Sequence, residues 1–164
     1  MTVTIRPCRP DDAETLVIMI RELATYEHLE DFARAAPEAL RSHLFGSRPF
    51  AEALIAESEG QPAGFALFFG TYSTFRGQPG LYLEDIYVRE ELRGLGIGTA
   101  LLSAVAKVAL ERGCGRLEWS VLDWNKPALD FYRGHGARPL DDWTVYRIDD
   151  EALTRLAKSA PGQS

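Results

Sequence analysis

Apolar and polar positions alternate at two different periods along this chain, and the switches between them mark out strands and helices. Thr2 to Arg6 alternates β-branched with polar residues and predicts a first strand, stopped by Pro7 and Pro10. Ala13, Leu16, Val17, Ile20, Leu23 and Ala24 then recur at helical spacing, which predicts a helix from about Asp12 to Tyr26 with one buried stripe and Asp11 as its cap. Tyr26 to Asp31 is acidic and aromatic and belongs on a loop. A short helix opens near Pro37 and closes before Gly46. Ala51 to Glu57 and Ala63 to Tyr72 read as strands joined by the turn cluster Glu59, Gly60, Gln61 and Pro62. Gly77 to Gly80 turns the chain again, into a strand from Leu81 to Val88. Consecutive strands with such short turns form an antiparallel meander.

The period then changes. An apolar helix, Ile97 to Arg112, separates the strand Leu81 to Val88 from an apolar strand, Arg116 to Leu122, and this strand-helix-strand unit pairs its strands in parallel. A helix from about Pro127 to Arg133, a last strand Trp143 to Ile148 and a short C-terminal helix complete the pattern. The fold class expected is α/β, with one mixed central sheet of about six or seven strands flanked by helices. Residues 1–158 form a single domain and residues 159–164 a disordered tail.

Composition narrows the functions open to such a domain. A chain of 164 residues with 46% hydrophobic content buries one substantial core, and its formal net charge of -6 argues against nucleic acid as the main partner and suits a cationic ligand. The longest apolar run, Ala63 to Phe69, is far shorter than the roughly 20 residues that span a bilayer, and no basic segment with an apolar core opens the sequence. A cytoplasmic protein with no membrane partner is expected. Cys8 and Cys114 lack metal-ligand spacing, so both are expected to be reduced and no metal is required.

Leu81 to Gly98, LYLEDIYVREELRGLGIG, concentrates the chemistry. Arg93-Gly94-Leu95-Gly96-Ile97-Gly98 leads from a strand into a helix, whose first N–H groups and positive dipole end suit an anion. Its glycine spacing is not the G-x-G-x-x-G of a dinucleotide fold, and no Gly-Lys-Ser/Thr follows as in a nucleotide-binding loop. What remains is a turn that lets a phosphate approach the main chain beside Arg93. Glu84 and Asp85 interrupt the apolar strand, so one of two neighbouring carboxylates faces inward, and a β-bulge or splayed strand end is expected there. In Trp124 to Tyr132, WNKPALDFY, Asn125 opens a short helix; by spacing alone Phe131 and Tyr132 are packing residues. His28, His43 and His135 have no partner at a telling spacing and receive no catalytic role.

Together these segments resemble the GNAT superfamily of acyl-CoA-dependent N-acetyltransferases, in which an R/Q-x-x-G-x-G/A turn after the fourth strand holds the coenzyme A pyrophosphate. Within it the chain looks like the spermidine/spermine and thialysine acetyltransferase branch, through Glu22 to Glu27, Tyr82 to Asp85 and Trp124 to Tyr132. The resemblance implies acetyl-CoA as cosubstrate, an opening between the fourth and fifth strands, and cofactor contacts from Tyr87, Val88, Arg93, Gly94, Leu95, Gly96, Ile97, Gly98 and Asn125. It implies Glu84 as general base for the amine, Tyr132 as general acid for the departing thiolate, and Tyr26, Glu27 and Asp85 lining the amine site. A homodimer is implied by the family alone. Ser73 and Phe75 stand where the polyamine enzymes carry an acid and a tryptophan, which leaves a diamine or lysine-like amino acid as plausible as a polyamine. Acetylation of a protein or peptide amine, and a silent acyl-CoA-binding module, are the alternative readings.

Overall fold

The computed structural model describes Met1 to Gly162, in two compact units, the first ending at Leu122. The first unit contains β1 (Val3–Pro7), α1 (Ala13–Tyr26), α2 (Pro37–Phe45), β2 (Glu52–Ser58), β3 (Gln61–Ser73), β4 (Gln78–Val88), α3 (Ile97–Glu111) and β5 (Leu117–Glu118). Its sheet runs β1-β2-β3-β4-β5, antiparallel through β4 and parallel between β4 and β5, which is the mixed meander plus crossover that the pattern predicts. The β2–β3 hairpin turns at Glu59 and Gly60, both with positive φ (51° and 75°), so the turn twist matches that of the strands.

Strand alternation separates two core layers. Leu16, Met19 and Leu44 of α1 and α2 close over Ala53, Ile55, Phe65, Leu67 and Tyr87 on one face. The alternate residues Leu54, Ala66 and Phe68 are also buried and point the other way, where α3 packs on the sheet through Ile97, Leu101 and Val105. Each fully buried large side chain among these contributes about 1.5–3 kcal/mol by removal from water.

One residue interrupts this alternation. Leu67 pairs with Asp85, but Phe68 pairs with Leu83, so Glu84 is an extra residue with no partner across the ladder. The bulge expected at the carboxylate pair is therefore present. It shifts the phase of β4: Leu83 shares the α3 face with Phe68, whereas Asp85 and Tyr87 share the α1 face with Leu67 and Phe65. Beyond the bulge β4 is also open on its other side, because β5 pairs only at Leu81–Leu117 and Tyr82–Glu118.

Two expected strands are corrected. The strand predicted over Arg116 to Leu122 is confined to Leu117–Glu118, and Trp143 to Ile148 forms no strand, so the sheet has five strands among the described residues rather than six or seven. Alternating β-branched and aromatic residues favour an extended chain, but a strand forms only where its backbone groups find a neighbouring ladder. Trp143, Val145 and Tyr146 are 76%, 82% and 92% exposed within the second unit and have no such neighbour there.

The second unit, from Asp123 onward, holds α4 (Lys126–Gly134) and α5 (Asp150–Lys158). Pro127 lies in the first turn of α4, where its missing N–H costs nothing. Asn125 caps that helix, its side-chain oxygen accepting from the Ala128 N–H at 3.4 Å. Gln163 and Ser164, at the end of the expected tail, lie outside the described residues.

Candidate active site

The site is built at the open end of β4 and the turn that follows it. After Val88 the chain makes a tight turn at Glu90–Leu92 and reaches Arg93 to Gly98. Gly94 and Gly96 have φ of 78° and 83°, the left-handed region in which a side chain is strained, and Gly96 is the residue that caps α3. A Cβ at either position would meet no atom within 4 Å, so the demand for glycine is conformational and the space beside the turn is clear. Gly96 has no side chain with which to cap the first turn of α3, whose N–H groups have no intrahelical partners. Leu95 is exposed, whereas the Ile97 side chain is buried in the core and brings only its main chain to the turn.

Arg93 bends back from this turn. Its Nε donates to the Val88 carbonyl oxygen at 3.0 Å, and its Cζ lies 4.4 Å from the centroid of the Tyr26 ring and 5.7 Å from that of Tyr87. Tyr26 is the last residue of α1, so the turn after β4 and the end of α1 are in contact. Arg89 makes a second tie between the same elements: its Nε and Nη2 donate to the two Glu22 carboxylate oxygens at 3.2 and 3.1 Å, and its Nη1 donates to the Pro62 carbonyl at 3.0 Å. Buried Tyr87 lies nearby; burial first, then the Glu22 charge, pushes its hydroxyl up to about 12.

The carboxylates that sequence reasoning singled out converge beside these rings. Asp85 is half-buried on the α1 face, and burial, then the charges of Glu84 and Glu27, push its carboxyl up to about 7. Burial also raises Glu27, which immediately follows Tyr26. Among the described residues neither Asp85 nor Glu27 is joined to a cation, whereas Glu22 on the same helix is matched by Arg89. Glu84, at the bulge, is exposed to solvent.

Tyr26, Glu27, Glu84, Asp85, Tyr87, Val88 and Arg93 to Gly98 are thus gathered at one end of the first unit. Asn125 and Tyr132 belong to the second, where Asn125 is a buried cap and Tyr132 is a half-buried residue of α4 with its ring centroid 5.4 Å from that of Phe131. Ser73 is buried and accepts from the Arg76 N–H at 3.2 Å, and Phe75 is fully exposed. Sequence reasoning missed the Glu22–Arg89 pair and the seat of Arg93 on Tyr26; no local pattern links residues so far apart.

Chemically, the turn offers an anion main-chain N–H groups and room, and the carboxylates offer a cation uncompensated negative charge. No group of His, Cys, Asp and Glu among the described residues is arranged to hold a metal, and no helix there is long and apolar enough to cross a membrane.

A mixed sheet that bulges and opens along its fourth strand, followed by a glycine turn into a helix, is the arrangement that the resemblance to the acyltransferases implies. The acetyltransferase (GNAT) family profile matches residues 17–137, and the chain belongs to that family, as an N-acetyltransferase. It is similar to the thialysine N-epsilon-acetyltransferase of Bos taurus, at 43% identity over 94% of this chain and 97% of that protein. It is similar also to the L-ornithine N5-acetyltransferase NATA1 of Arabidopsis thaliana, at 32% identity over 94% and 87%. Among solved structures it is similar to the integron cassette protein VCH_CASS6 from the mobile metagenome of V. cholerae, with a TM-score of 0.81 and 27% identity over 97% of this chain and 99% of that one.

Proposed function

We propose that this chain transfers the acetyl group of acetyl-CoA to a primary amine of a small cationic substrate, a thialysine-like or ornithine-like amino acid or a diamine, with polyamines as longer candidates. The observation that carries this is the pair of raised, cation-free carboxylates, Glu27 and Asp85, beside the open end of β4. An ammonium group is the natural guest of such a pocket. The relatives named for thialysine and L-ornithine acetylation support the same class of guest.

The residues of the turn fit acetyl-CoA. Gly94, Gly96 and Gly98 bring main-chain N–H groups to its diphosphate with clear space at the first two, Leu95 and Ile97 extend the cradle, and Asn125 is a further coenzyme contact by family likeness. Bound there, acetyl-CoA supplies an activated acyl group as a thioester. An alkyl amine with a pKa near 10 arrives protonated at neutral pH, so the enzyme must take a proton before nitrogen can attack. Glu84, exposed at the bulge, accepts that proton directly or through water, while Asp85, Glu27 and Tyr26 hold the cationic end. The amine attacks directly in a ternary complex: an N–C bond forms, the C–S bond breaks, and Tyr132, by family likeness, gives its proton to the departing sulfur. The second proton lost by the attacking nitrogen restores Tyr132 through water, so the proton first taken by Glu84 is the one released. The Val88 N–H, on the edge of β4 that has no neighbour, orients the acyl oxygen, whereas the Tyr87 N–H faces β3, as does that of Arg89, which bonds to the Ala63 carbonyl.

In this reading residues 1–158 act as one acetyltransferase domain. A homodimer is proposed on the family likeness alone, and two buried free cysteines suit the reducing cytoplasm.

The test is release of free thiol from acetyl-CoA across a panel of thialysine, ornithine, diamines, polyamines and basic peptides. Amine-dependent release, fastest with a small amine, is expected. No release with any amine sinks the enzymatic reading, and release with peptides alone replaces the small amine by a protein substrate.

A further inference from the structure

We infer that Arg93 is a positioning residue for the amine pocket, acting through the ring of Tyr26; the inference rests on the reading of that pocket proposed above. Tyr26 closes α1 and Glu27 follows it, so whatever fixes the Tyr26 ring also fixes the backbone that presents Glu27. Arg93 does this from the coenzyme turn. The 3.0 Å bond from its Nε to the Val88 carbonyl ties the guanidinium to the last residue of β4, and the 4.4 Å approach of Cζ to the Tyr26 centroid lays it on that ring. With Tyr87 at 5.7 Å, one cation lies close to aromatic rings from α1 and β4.

Glu84 and Glu27 are the charges that raise Asp85, and the contact Arg93 makes toward this region is with the Tyr26 ring. Arginine suits this duty because its guanidinium is planar and carries several N–H donors: one edge bonds a carbonyl while the plane stacks. Lysine would keep the positive charge that attracts a phosphate, but it has no plane to lay on Tyr26. The same side chain therefore belongs to the glycine turn by sequence and to the amine pocket by contact, and it joins the two.

Arg93→Lys separates these duties. With thialysine and ornithine as amine probes, the variant should raise amine KM about fivefold, and by more than it raises the KM for acetyl-CoA, because lysine keeps the positive charge beside the turn but not the contact with Tyr26. An unchanged amine KM overturns the inference, and so does a rise confined to the KM for acetyl-CoA, which would assign the arginine to phosphate. Tyr26→Leu leaves the turn intact and should raise amine KM similarly, with little further loss when Arg93→Lys is added; full additivity in the double variant counts against the contact. If the wild-type enzyme acetylates no amine, the functional reading fails, and the positioning role is then judged by hydrogen exchange. The amides of Glu27 and Leu29, bonded to Leu23 and Ala24, should exchange faster in Arg93→Lys, and unchanged exchange rejects the role.

Discussion

Two acidic regions of the first unit are built from the same side chains and kept in opposite states. At the start of the chain, Asp12 and Glu57 flank Arg6: Nη1 and Nη2 reach Asp12 at 2.8 and 2.9 Å, and Nε reaches Glu57 at 2.8 Å. That hydrogen bonding holds the Asp12 carboxyl below its usual range. At the open end of β4, Asp85 and Glu27 have no such partner among the described residues and their carboxyls are raised, Asp85 to about 7. The first region ties β1, the start of α1 and β2 together. In the second, no cation among the described residues faces these carboxylates, which is the state the proposed amine site requires of them.

The sharpest way to break this contrast is to replace carboxylates in the unmatched region. Glu84→Gln should lower kcat about a hundredfold with little change in amine KM, as expected for loss of a general base. Asp85→Asn should instead raise amine KM about thirtyfold, because it removes one of the charges that holds the ammonium group. Steady-state kinetics on a substrate from the amine panel reads both, and the reverse split would exchange the two roles. The matched region should behave differently. Arg6→Leu leaves Asp12 and Glu57 facing one another without a cation, and should cost about 2 kcal/mol of stability in urea unfolding because the group is largely but not fully shielded from water. Its kcat/KM should not change.

Much of the second region was legible in the sequence because its devices are local. A carboxylate pair in an apolar strand cannot keep strict alternation, and the bulge at Glu84 resolves that conflict. Positive φ at Gly94 and Gly96 is likewise the reason glycines occupy that turn. The matched region was not legible, nor was the seat of Arg93 on Tyr26, since Arg6–Glu57, Glu22–Arg89 and Tyr26–Arg93 join residues brought together only by folding. Trp143 to Ile148 shows the limit from the other side. Its alternation reads as a strand, yet strandness depends on a ladder partner, and periodicity records which face a residue prefers without recording whether a neighbour is there.

The pH dependence of the two regions should have opposite signs, and this is the smallest of the expected effects. Asp85 is anionic in the free enzyme only above about 7, so amine KM should fall about fivefold between pH 6 and pH 8, while the amine itself stays protonated. Asp85→Asn should remove most of that fall. Stability follows the same proton. A carboxyl raised by folding favours the fold fully below its unfolded value of roughly 4 and loses that contribution as pH rises through 7, so free enzyme should weaken over this range. Asp12, lowered by Arg6, works the other way: its contribution is present above roughly 4 and lost as pH falls below it. Thermal unfolding from pH 3 to pH 8 should therefore show Asp85→Asn flattening the neutral side of the curve and Arg6→Leu flattening the acid side. If both variants flattened the same side, the distinction between a matched and an unmatched carboxylate would fail, because one environment would then be acting on both.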